Sequence, residues 1–305
     1  MPLFKRSDGN LVLDESNVRR MIPYLMKGRN ESAVYHEQTI DLTKTRPWLR
    51  SYNRAHPDAP ATLFHVIQLA LGRCMHERPG INRFVSGGRI YQRKHVDLSF
   101  AAKKAMDATA PMVTVKMRYE PDEPFVAAAK RIAKTIDEAR TDRESTVDKE
   151  LKLALALPGS LLKAVMAGLR GLDQLNLLPA AMMAHDPMYA SAFLANLGSL
   201  GLDNTFHHLY EYGTVSVFGA IGTAKKSVVV GLDGKPAVRD TTQVRWTLDE
   251  RINDGFYCAT ALKIVQRTVE DPERFFGVPQ EAVEPPRWRD ERPRLTEVPP
   301  AARRA

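Results

Sequence analysis

Hydrophobic and polar positions along the chain follow two periods in turn. Val18, Met21, Ile22, Leu25 and Met26 recur at helical spacing behind a capping Ser16 or Asn17, which predicts a short helix despite Pro23. Residues 33–42 alternate instead, with Val34, Tyr35, Thr39 and Ile40, and predict a strand ending in the turn Asp41-Leu42-Thr43. Helical spacing returns over 43–53 and 62–77. Pro79-Gly80 interrupts it, after which 81–85, 89–91, 95–101 and 112–119 read as strands, with a turn at Gly87-Gly88. An amphipathic helix follows over 123–143, with Phe125, Ala129, Ile132, Ala133 and Ile136 on one face.

The stretch 144–186 is apolar and helix-prone, broken at Pro158-Gly159 and Pro179. Lys163, Arg170, Asp173, Gln174 and Asn176 interrupt every window of about 20 residues that a membrane span requires. It therefore predicts a helical hairpin lying on the domain, with 147–183 open to contact with a protein or a membrane surface. Strands are expected at 190–197 and 213–221, then a hairpin of 227–232 and 241–248 around Asp233-Gly234-Lys235-Pro236. A polar turn at 249–255 leads into a last helix over 255–269, and the proline- and arginine-rich residues beyond 283 read as a flexible tail. The organisation is a lead-in over 1–15, one domain over 16–282 carrying the 144–186 insertion, and the tail over 283–305.

Composition narrows the partners. With 305 residues and 44% hydrophobic content, the chain can bury a sizeable core. The net charge of +8 admits an acidic partner such as nucleic acid, an anionic membrane or a polyanionic cofactor. Part of that excess sits in the tail, and aromatics do not interleave with basic residues as in single-strand readers, so nucleic acid is not the expected partner. Cys74 and Cys258 lack neighbouring Cys or His at ligand spacing, which points to a reducing compartment and no metal. The N-terminus turns polar before an apolar core of signal-peptide length develops, so a cytoplasmic location is expected.

The chemistry gathers at residues 249–255, Asp249-Glu250-Arg251-Ile252-Asn253-Asp254-Gly255. Apart from one position this resembles the Asp-His-x-x-x-Asp-Gly turn of the chloramphenicol acetyltransferase and dihydrolipoamide acyltransferase superfamily, whose His is the general base. Two other stretches are similar to the catalytic domain of the dihydrolipoamide acyltransferases of 2-oxo acid dehydrogenase complexes. Asn17 to Ile22 looks like its Gly-Ile-Arg-Lys-x-Ile opening helix, and Ala195-Asn196-Leu197-Gly198 looks like its Ser-Asn-Leu-Gly turn. The resemblance covers residues 16 to 276. It implies a two-layer, chloramphenicol-acetyltransferase-like α/β domain with a mixed sheet flanked by helices, here with an added apolar hairpin. It also implies a homotrimer with active sites at subunit interfaces, and coenzyme A or acyl-CoA as ligand. No lipoyl attachment segment is recognisable. Arg19 would form a structural ion pair with Asp254, and Asn196, Gly198 and Ser199 would lie at the cofactor.

Two positions depart from the family pattern. Glu250 stands where the resemblance places the His, and Ala195 where it places a Ser that stabilises the oxyanion. A thiol of pKa about 8.5 lies roughly 2 units above imidazole but about 4 above a carboxylate, which adds on the order of 3 kcal/mol to proton transfer. Loss of one oxyanion donor costs about 10² to 10³ in rate in other acyl-transfer enzymes. The replacements point to a fold kept for binding or scaffolding with its transfer chemistry impaired. The competing reading is an acyl-CoA-dependent transferase that uses Glu250 or a nearby histidine, His207 or His208, as base.

Overall fold

The structure, a computed structural model, describes residues 5–103, 112–140, 152–203, 205–231 and 234–279. The expected tail, residues 144–151 of the insertion and the tip of the last hairpin at 232–233 lie outside the described residues. In chain order the elements are β1 (Gly9–Leu11), α1 (Asn17–Leu25), β2 (Ala33–Asp41), α2 (Thr45–Ala55), α3 (Leu63–Glu77), β3 (Arg83–Ser86), β4 (Arg89–Arg93), β5 (Val96–Lys103) and β6 (Met112–Tyr119). Then follow α4 (Phe125–Arg140), α5 (Gly159–Gln174), α6 (Ala180–His185), β7 (Ala192–Asn196), β8 (Val217–Ile221), β9 (Lys225–Val230), β10 (Pro236–Asp249), α7 (Gly255–Glu270) and α8 (Pro272–Phe276).

Among the described residues the strands form two sheets. The larger has seven strands in the order β2-β10-β8-β7-β5-β6, with β9 on β10. It is mixed, because β7 runs parallel to both β5 and β8 while the other pairs are antiparallel. The smaller sheet is β1-β4-β3. The lead-in is thus partly ordered: Gly9 to Leu11 pair with Arg93 to Tyr91, a partner that lies too far along the chain for local periodicity to reveal. Likewise β4 and β5, which alternate as one continuous pattern, belong to different sheets.

One face of the large sheet is sealed by helices. Along α3 nearly every residue is buried, since the helix is covered by the sheet on one side and by its neighbours α4 and α7 on the others. Burial on every side of a helix is explained by such enclosure rather than by amphipathicity. Trp48, Tyr52, Phe125 and Phe276 close the end of this core with edge-on and tilted ring contacts. The opposite face carries a smaller cluster, Phe193, Phe218 and Ala220 of β7 and β8 under Leu209 and Val215 of the connector 205–216. This thinner cover leaves room for a cavity.

The inserted region is helical as expected, with α5 and α6 anchored at one end. Arg6 is buried, pairs with Asp8 and Asp173, and donates to the Asp173 carbonyl and to the hydroxyl of Ser86. No residue of α5 is fully buried, and Leu161, Val165 and Leu172 remain exposed along it. Among the described residues no helix is long and apolar enough to cross a membrane.

Where β10 leaves the sheet, Asp249 and Arg251 form a fully buried ion pair. Nε and Nη2 of Arg251 each donate to the Asp249 carboxylate at 2.8 Å, and the Arg251 backbone N–H adds a third bond at 3.1 Å. Nη1 of the same guanidinium donates to the carbonyls of Met26 and Lys27, just past the end of α1. Removing either partner strands a charge in the core. Asp249→Ala is expected to lose about 3–5 kcal/mol of stability in urea unfolding, and the double variant Asp249→Leu/Arg251→Met to lose less than the single.

A second buried group makes stability depend on pH. At the start of α3 the Thr62 N–H donates to Nδ1 of His65 at 3.1 Å, which places the ring proton on Nε2. That Nε2 is buried without a hydrogen-bond partner, and burial pushes the His65 pKa down to about 4. The unfolded chain, titrating near 6.5, takes up a proton below that pH that the folded protein does not, so stability is lost as pH falls from about 6.5 towards 4. Between pH 7 and 4.5 His65 contributes a loss of about 2 kcal/mol, which His65→Phe should remove when urea unfolding is compared at the two pH values.

Candidate functional site

The cavity lies at the margin of the large sheet, lined by residues from both of its faces, and has a volume of about 600 Å³. Phe193 and Ala195 of β7 and Phe218 of β8 line it from the thinly covered face, and Phe100 of β5 lines it from the helical side. Ala133 and Ile136 of α4 and Phe64 at the start of α3 form a wall. The polar lining includes Asn196, Ser199, His65, His207 and Tyr210, with Asp137 and Arg140 near the end of α4. A mostly apolar chamber with a handful of polar groups suits a ligand that is apolar for most of its length and polar at one end.

Ala195 and Asn196 end β7, and the chain then makes the 3-10 turn Leu197–Leu200. Asn196 shapes that turn, since its Oδ1 accepts the Ser199 N–H at 3.2 Å and its carbonyl accepts the Ser199 hydroxyl at 2.7 Å. Gly198 serves the backbone rather than the chamber: a Cβ there would lie 2.7 Å from the Gly222 carbonyl oxygen, and Gly198 does not line the cavity. Ala195, Asn196 and Ser199 therefore share one wall. At Ala195 the wall presents a methyl group, and the hydroxyl of Ser199 is already directed to the backbone. Ser191, the other serine near this strand, is buried and accepts the Asp97 N–H.

The turn at Glu250 sits elsewhere. Glu250 is exposed, its backbone N–H donates to the Ser32 carbonyl at 2.9 Å, and it is absent from the cavity wall. The expected ion pair between Arg19 and Asp254 does not form. Arg19 Nη2 donates to the Glu250 carbonyl at 2.9 Å, and Asp254 caps α7 by accepting the Tyr257 N–H at 2.7 Å. An Asp at an N-cap satisfies a free helical N–H and meets the positive end of the helix dipole, so the carboxylate is already occupied. The shape of the turn rests instead on Asp249 and Arg251, whose pairing the spacing alone did not single out.

The histidines separate in the same way. His36, His95, His185 and His208 are exposed, whereas His207 is half-buried and lines the cavity. Its ring stacks on Phe218 with centroids 3.8 Å apart and an interplanar angle of 1°, and Phe218 stacks in turn on Phe193. Nδ1 of His207 lies 2.7 Å from the His208 carbonyl oxygen, and Thr247 donates its hydroxyl to the His207 carbonyl. Burial holds the His207 pKa below the usual histidine range, with the hydrogen bond to the His208 carbonyl opposing and the neighbouring His208 adding to the shift. In the sequence the pair reads as a solvated connector, because nothing local indicates that alternate residues of that segment turn towards the sheet.

No family model matches the chain, and no curated protein matches it. Solved structures do. A probable dihydrolipoamide acetyltransferase from Listeria monocytogenes is 16% identical, with a TM-score of 0.59 over 90% of this chain and 99% of that one. The dihydrolipoamide acetyltransferase of Azotobacter vinelandii, in whose catalytic mechanism the roles of a serine, a histidine and an asparagine have been investigated, is 14% identical, with a TM-score of 0.57 over 86% of this chain and 93% of that one. The cubic core of a pyruvate dehydrogenase multienzyme complex is 15% identical, with a TM-score of 0.50 over 86% and 93% of the two chains. The mixed α/β architecture of this chain, a mixed sheet flanked by helices, is therefore the fold of dihydrolipoamide acyltransferase catalytic domains.

Proposed function

We propose that the protein binds an acyl thioester of coenzyme A in this cavity, as a homotrimer, and that the Glu250 side chain takes no part in proton transfer. The observation that carries the reading is the single wall formed by Ala195, Asn196 and Ser199, the three cavity residues that the family resemblance assigns to the site. The apolar lining fits an acyl chain. Arg140 and the amide of Asn196 are the polar groups suited to the thioester and its anionic carrier, and the net charge of +8 favours a polyanion. The methyl of Ala195 and the position of Glu250 outside the chamber both fit a protein that holds a thioester without the family's own serine and histidine. Transfer with another base is a second reading, favoured by the place of His207 on the cavity wall.

Self-association is supported by what surrounds the turn. Val18, Met21 and Leu25 of α1, Val34 and Tyr35 of β2, and Phe256 at the start of α7 are all exposed large hydrophobics, Phe256 to 78%. These side chains sit on the three elements that frame Glu250, and such a concentration of exposed apolar surface marks an interface. The similar cubic core contains threefold axes, as any cubic arrangement must, so a trimer is a natural unit of this fold.

Light scattering is expected to give three times the 34.2 kDa subunit mass. Isothermal titration with acetyl-CoA and a longer acyl-CoA should show saturable binding below about 1 mM, tighter for the longer chain, and absence of heat at that concentration would count against the ligand class. Ala195→Phe, which fills the chamber, should weaken binding at least about tenfold, while Glu250→Gln should leave it within about twofold.

A further inference from the structure

Of the two nitrogens of His207, only Nε2 is uncommitted. A carbonyl oxygen can only accept, so the 2.7 Å contact with the His208 carbonyl requires that Nδ1 carry the proton. Nε2 is then a lone-pair nitrogen, and no hydrogen bond to it forms among the described residues. The ring cannot readily turn away, because it lies flat on Phe218 and its own carbonyl is held by Thr247. A tautomer set by a backbone carbonyl, a fixed ring plane, and an uncommitted nitrogen on a ring that lines a mostly apolar chamber together make an oriented base.

We infer that His207 is the general base of an acyl transfer to a thiol in this cavity, in place of any group on the 249–255 turn. The inference rests on the reading that an acyl thioester occupies the chamber. Nε2 takes the proton of the acceptor thiol as its sulfur attacks the thioester carbonyl carbon. The tetrahedral adduct collapses with cleavage of the carbon–sulfur bond to coenzyme A, and the departing thiolate recovers the proton from Nε2. One S–C bond forms and one breaks, with no change of oxidation state. Imidazole suits a thiol better than a carboxylate does, because the two pKa values lie closer together.

Several ionisable or charged groups surround the ring. His208 and Tyr210 flank it on the connector, Asp137 and Arg140 of α4 and His65 of α3 line the same chamber, and Arg245, paired with Glu37, lies over the adjacent Phe206. With its pKa held below the usual range, His207 is neutral and competent at pH 7, and the rate should fall as pH drops through that pKa.

The test combines a direct and a kinetic readout on the full chain. In ¹⁵N-histidine spectra the His207 signal should report Nδ1–H with an unprotonated Nε2 at pH 7, and the opposite tautomer would overturn the assignment. Formation of acylated thiol from octanoyl-CoA and a panel of small thiols should fall about 10²-fold or more in His207→Gln, with octanoyl-CoA affinity and melting temperature retained. Imidazole should restore part of the rate to His207→Ala. A wild-type rate in His207→Gln, or wild-type binding of octanoyl-CoA with no transfer to any thiol, would overturn the role of His207. Absence of octanoyl-CoA binding by the wild type would instead overturn the reading of the cavity.

Discussion

The buried pair of Asp249 and Arg251 constrains most of what surrounds it. A guanidinium does not lose its proton in a protein, so Arg251 needs its carboxylate partner wherever it is taken out of water. It also needs acceptors for its remaining donors, and it finds them in the Met26 and Lys27 carbonyls at the end of α1. One side chain thus sets the exit of β10, the start of α7 and the position of α1. The neighbouring Arg29 is buried too and extends the same framework, donating to the Tyr210 and Glu211 carbonyls of the connector that covers the second face of the sheet. The turn can therefore keep its shape whatever side chain occupies position 250, because Glu250 contributes only its backbone N–H and carbonyl to the framework.

The shape of this turn is thus separate from the chemistry of the side chain at position 250. The two faces of the sheet make the parallel point. On the helical face α3, α4 and α7 bury the main core, and α3 and α4 reach the chamber only at its wall. On the other, a connector with little regular structure covers Phe193, Phe218 and Ala220 and leaves the chamber at its margin. A connector is free to place single side chains against a rigid strand surface, and His207 is held there by ring stacking and two backbone hydrogen bonds.

The helices and most strands were readable from periodicity, because helical and strand spacing reflect which side of an element meets the core and so are written locally. The mixed α/β class and the resemblance at residues 17–22, 195–198 and 249–255 were readable for the same reason, since each is a short contiguous run. Partners across long sequence distances were not. Gly9 to Leu11 pair with a strand some eighty residues away, and β4 and β5, continuous in pattern, divide between two sheets. The exchange of an expected Arg19–Asp254 ion pair for a helix cap and a backbone contact depends on distances of a few ångströms between elements, which no spacing encodes.

The linear pattern was thus sufficient for the elements and the fold class, since these depend on residue type at fixed local intervals. Burial of Asp249 with Arg251, the absence of Glu250 from the cavity wall, and the division of His207 from His208 emerged only on folding. Each depends on which surfaces meet once the sheet is assembled, and adjacent residues with the same side chain can then face an apolar chamber and open water.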